Sequence, residues 1–243
     1  MAIQLTAKSE EQKERTRVHT VVIGVLGILL PILLWLGLMI IGEPKPLSSI
    51  SHYYFTRVAV FYIGILFALG LFLILYRGPK EIDFWISAIA GLFAITSLFF
   101  PTSNLKTIGC MISGDETCTH PFAITIFPSD NTTRITIHYI TSALFLLLLA
   151  FLSGIYFTRI DKPLVKGNKK KKRNRVYRTC ALIMALALLS AFLGDFRHLI
   201  PKKIYETYRL TFVFETIAVW AFGISWLTKA QVFFRDPDTE PFI

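Results

Sequence analysis

Charge is what this sequence has least of. Only 17% of its 243 residues are Asp, Glu, Lys or Arg, against about 25% in soluble domains, and that shortfall excludes a water-soluble globule. Cysteine is scarce as well, with three in the chain, too few for a disulfide scaffold. Two catalytic signatures are missing. No Gly-x-Ser-x-Gly elbow occurs, which removes the usual cue for a hydrolase serine. No HxxxH or HExxH pair occurs either, so no helix face carries two histidine zinc ligands at that spacing.

What is abundant is apolar: 53% of the residues are hydrophobic and 14% aromatic, with a mean hydropathy of +0.55. A helix rising 1.5 Å per residue needs about 20 apolar residues to cross about 30 Å of hydrocarbon. Six stretches approach that length, at 21–41, 58–76, 84–100, 139–157, 176–193 and 210–227. They are expected to be helices because a lone segment in lipid must satisfy its own backbone groups. Residues 21–41 are too long for the apolar region of a signal peptide, and no small-residue cleavage site follows. The expected fold is all-α, a single integral membrane domain spanning 1–243 as a bundle of six helices. Pro31 lies inside the first span and predicts a kink there.

Charge then sets the orientation. The formal net charge is +10, yet Lys166–Arg178 alone holds eight basic residues and no acid. Lys and Arg are concentrated in the N-terminus, the 77–83 turn, the basic 158–178 loop and the C-terminal tail. The positive-inside rule therefore places both termini in the cytoplasm. The run Lys169-Lys170-Lys171-Lys172-Arg173 precedes the fifth span. It orients the chain and suits contact with an anionic leaflet, at about 1 kcal/mol per basic residue. Nucleic acid is not an expected partner, since no aromatic residues interleave the lysines.

Four of the five histidines, His52, His120, His138 and His198, fall on the opposite, outer side. Ser51 and His52 precede the second span, His138 opens the fourth, Asp195 and His198 follow the fifth, and Glu215 lies about one turn into the sixth. A carboxylate at that depth must face a partner or a wet cavity, and His138, Arg57 and Arg209 are its expected partners by depth. Several chemistries fit an outward-facing pocket of Ser51, His52, His138, Asp195, His198 and Glu215. It could bind a lipid headgroup without any cofactor, using His and Arg as donors to phosphate. It could be a metal-dependent lipid hydrolase with zinc on His52, His138 and His198. The same residues also suit helix caps and interfacial groups without a ligand, Ser51 and Thr136 being apt N-caps, or a proton or ion pathway.

The outer loop 101–138 is the one extramembrane piece large enough to be structured. Phe122–Phe127 and Thr132–His138 are β-branched runs around Pro128-Ser129-Asp130-Asn131, which predicts a β-hairpin. Cys110 and Cys118 enclose a Gly/Asp turn, so a disulfide is expected on an oxidising face. This loop is the candidate surface for a protein partner. Small residues, Gly64-x-x-x-Ala68 in the second span and Ala88, Ala90 and Gly91 in the third, are expected to seat close helix packing.

The approach Pro46-Leu47-Ser48-Ser49-Ile50-Ser51-His52, and His138 followed by Ser142-Ala143-Leu144-Phe145, resemble the Frag/DRAM/Sfk family of six-pass membrane proteins and its uncharacterised bacterial relatives. Ser51 and His138 match the family's motif positions, and His52 stands where the family carries an acidic residue. The resemblance implies a multi-pass protein tied to lipid handling or membrane organisation, with membrane lipids as partners. A bacterial plasma membrane is the expected location.

Overall fold

The computed structural model describes residues 2–103, 130–160, 169–197 and 201–236. All regular structure among them is helical. The elements are α1 (Ala2–Ile40), a 3₁₀ helix (Ile50–Phe55), α2 (Ala59–Leu75), α3 (Glu81–Phe99), α4 (Thr132–Phe151) running into a π turn (Leu152–Tyr156), α5 (Lys170–Arg197), the short α6 (Lys202–Thr207) and α7 (Leu210–Lys229). The six apolar stretches lie in α1–α5 and α7. Five of these helices are long and apolar enough to cross a membrane, and α2 is an apolar helix of 17 residues.

Two segments differ from the sequence reading. Thr132–His138, expected as the second hairpin strand, is the first two turns of α4. Asn131 caps the helix by accepting the Arg134 N–H at 3.1 Å. The buried residues Arg134, His138, Thr141, Phe145 and Leu149 recur every three or four positions, a helical stripe that outweighs the β-branched propensity. The first strand, Cys110, Cys118 and His120 lie outside the described residues. The lysine run is likewise not loop: Lys170–Arg173 forms the first turn of α5.

Each long helix packs against its neighbour in sequence, and α7 closes back on α1, so α1–α5 and α7 form a ring in chain order. Backbone contact fixes two of its seams. A Cβ on Gly91 of α3 would fall on the carbonyl oxygen of Gly70 in α2, and one on Gly223 of α7 would stand 2.7 Å from the Gly24 oxygen of α1. Gly64, expected at such a seam, is exposed with open space beside it. Large apolar side chains such as Trp35, Leu92, Leu147 and Leu186 face outward, as lipid-facing residues do.

One end of the ring gathers charge. Arg17 donates to the Ala230 carbonyl, Arg159 pairs with the buried Asp83, and Arg173 grips Asp236 through two N–H groups at 2.8 and 2.9 Å. Beneath these, Trp226 is fully buried against Tyr76, Phe157 and Phe222. The opposite end is closed by residues 46–56.

Candidate functional site

The closing segment starts from its serines. Ser49 is the N-cap of the 3₁₀ helix, in extended backbone, and its Oγ accepts the Ser51 N–H at 3.1 Å. Thr56 ends the helix, its hydroxyl donating to the Tyr53 carbonyl at 2.8 Å. The segment is too short to bury itself, so its polar groups are satisfied by the ring. The Ile50 N–H donates to Glu215 Oε2 at 2.6 Å, and the Ser49 hydroxyl lies 2.9 Å from both Glu215 oxygens. The Phe212 N–H, an open donor in the first turn of α7, reaches the Ser48 carbonyl at 3.0 Å. Glu215 is thus met by the loop backbone and Ser49, a partnership not anticipated from depth alone.

His138 ties the same segment to α4. Its Nδ1 lies 3.2 Å from the Ser97 carbonyl and 3.0 Å from the Phe100 carbonyl. Carbonyl oxygens only accept, so Nδ1 carries the proton and, in the neutral ring, Nε2 is an acceptor. Ser51 Oγ stands 3.0 Å from Nε2 and donates to it; Ser142 Oγ is further, at 3.4 Å. The ring is 2% exposed, whereas Ser51 is only partly buried. Tyr62 of α2 is buried.

His52 takes a third position. Its Nδ1 is 2.8 Å from Ser48 Oγ. Burial first, then the nearby His138 and Arg209 charges, push its pKa down to about 4, with Asp130 opposing. The imidazole is neutral at physiological pH. Arg209 itself sits in left-handed backbone at φ 50°, ψ 46°, at the N-cap of α7, a conformation that costs a non-glycine residue on the order of 1 kcal/mol.

Of the expected site residues, Ser51, His52, His138 and Glu215 therefore converge at one end of the ring. The Asp195 side chain and His198 lie outside the described residues, as do Cys110 and Cys118. Among the described residues no three His, Cys, Asp or Glu side chains form a metal-ligand group, and both nitrogens of His138 have protein partners. Lys169–Arg173 are at the far end. Lys169, Lys171 and Lys172 are exposed, Lys170 donates to the Phe157 carbonyl, and Arg173 is turned inward to Asp236. Sequence reading missed Ser48 and Ser49. The density of hydroxyls in Ser48-Ser49-Ile50-Ser51 ahead of an apolar helix was the available signal.

No family model, curated protein or solved structure matches the chain, so the reading of the site rests on its own geometry.

Proposed function

We propose that this chain is a six-pass plasma-membrane protein that binds a phospholipid headgroup at the ring end closed by residues 46–56. Both termini face the cytoplasm, and Lys169, Lys171 and Lys172 meet its anionic leaflet. The observation that carries the reading is convergence. Polar groups from four distant segments, 48–52, 97–100, 138–142 and 209–215, assemble at one end of an otherwise apolar ring.

Within the cluster the roles divide. Glu215 is committed to Ser49 and the Ile50 N–H, so it anchors the loop. His52 and Ser48 by hydrogen bonding, and Arg209, whose charge acts on His52, by charge, are the groups suited to a phosphate. His138 is about 9 Å and Glu215 about 8 Å along their helices from that end, at 1.5 Å per residue. With interfacial zones of about 5–8 Å per side, those depths fall at the boundary between headgroups and hydrocarbon. Dihexanoyl phosphatidylglycerol, a short-chain lipid added to purified protein, tests the reading. A ligand specific for the folded state raises stability by about 2.7 kcal/mol at a hundred times its Kd. The lipid should raise the melting temperature of the wild type but not of His52→Ala. Equal stabilisation of both, or none of either, counts against the proposal.

A further inference from the structure

The Ser51–His138 pair has a geometry that headgroup binding does not require. Ser51 Oγ donates to Nε2 at 3.0 Å, and Nδ1–H is held by two backbone carbonyls. A serine nucleophile needs this protonation pattern in its base: the distal nitrogen fixed as a donor, the proximal one free to accept. Backbone carbonyls here occupy the orienting position that a carboxylate fills in the Ser-His-Asp arrangement. Ser51 is fixed too, since its N–H is bound to Ser49 Oγ and Ser49 to Glu215. Ser51 is a half-buried residue, whereas His138 is buried.

We infer that Ser51 and His138 are a nucleophile–base pair for acyl transfer from a lipid carboxylic ester. This rests on the headgroup reading, because bound phosphate would bring the glycerol esters to the depth of Ser51. Ser51 Oγ attacks the ester carbonyl carbon while its proton passes to His138 Nε2. The tetrahedral oxyanion collapses, the ester C–O bond breaks, and Nε2 returns the proton to the departing alcohol. Water, or another hydroxyl, then attacks the acyl-Ser51 with His138 again as base, releasing acid or a new ester and restoring the serine.

A latch that merely holds the loop would show the same hydrogen bond but no nucleophilicity, so reactivity decides. A biotinylated fluorophosphonate should become covalently attached to Ser51 in the intact protein. Oγ displaces fluoride from phosphorus and His138 takes the proton, and the adduct is located by peptide mass spectrometry. Ser51→Ala should abolish it and Ser142→Ala preserve it. His138→Asn keeps a donor toward the Ser97 and Phe100 carbonyls but removes the base, and should slow labelling about 100-fold or more. No adduct on wild-type Ser51 overturns the inference without recourse to any variant, as does labelling that His138→Asn leaves unchanged. The two proposals separate: stabilisation by dihexanoyl phosphatidylglycerol without an adduct removes the nucleophile and leaves the headgroup site. An adduct without that stabilisation removes the headgroup site and leaves a reactive serine.

Discussion

At the scale of single residues, the site is governed by the cost of burying charge and unsatisfied donors. Glu215 is tolerable beside apolar helices because Ser49 and the Ile50 N–H meet its oxygens. Truncation leaves those donors unpaired at about 1–3 kcal/mol. Glu215→Ala should therefore lower the melting temperature in detergent clearly, and Glu215→Gln, which retains one acceptor oxygen, should lower it less. Equal losses would show that the carboxylate's packing, not its acceptance, matters. His52 gives a pH signature. Its folded pKa of about 4 lies below the ordinary 6.5, so the unfolded chain binds a proton first as pH falls. Its contribution is full above pH 6.5 and declines down to about pH 4. Melting temperatures measured from pH 7.5 to 4.5 should fall less steeply in His52→Gln than in the wild type. That Glu215 must meet a partner was legible in the sequence, because a carboxylate at that depth is costly, and His138 stood out by its place at the opening of the fourth span. Their partners were not: Ser49 is 166 positions from Glu215, and no local pattern encodes such a pairing.

At the scale of elements, spacing decided what propensity could not. Thr132, Thr133, Ile135, Thr136 and Ile137 suit a strand taken singly. The Asn131 cap and the buried stripe from Arg134 to Leu149 make them a helix instead. Small residues were a similarly partial guide. Gly91 forms a seam as expected, but its partner is Gly70, and Gly64 faces open space. A glycine's sequence context does not reveal which side of a membrane helix meets protein, since both sides are apolar. Gly91→Leu should thus force α2 and α3 apart and cost about 1–3 kcal/mol or more through overpacking. Gly64→Leu should change stability by well under that. Thermal unfolding of the two variants in the same detergent provides the comparison.

At the scale of the whole molecule, the opening scarcity of charge becomes a division between two ends. Ionic contacts dominate one end, where Arg173 and Asp236 tie the start of α5 to the segment after α7. Arg173 holds the Asp236 carboxyl below the usual range, so this pair persists at neutral pH and is lost only as acid protonates Asp236. Asp236→Asn leaves a buried guanidinium less compensated. It should destabilise the protein toward the lower end of the about 3–5 kcal/mol expected for broken buried pairs, with a smaller effect under acid conditions. The other end joins hydroxyls and imidazoles to the Glu215 carboxylate and the Arg134–Asp130 pair, and there the 3₁₀ segment links α4 to α7 across the ring.

The claim that this second end holds a phospholipid is tested most directly by native mass spectrometry of purified protein after detergent exchange. The wild type should retain one phospholipid per chain, and His52→Ala combined with Arg209→Gln should lose it while remaining folded. Retention of the same lipid by the double variant, or its absence from the wild type, would contradict the account.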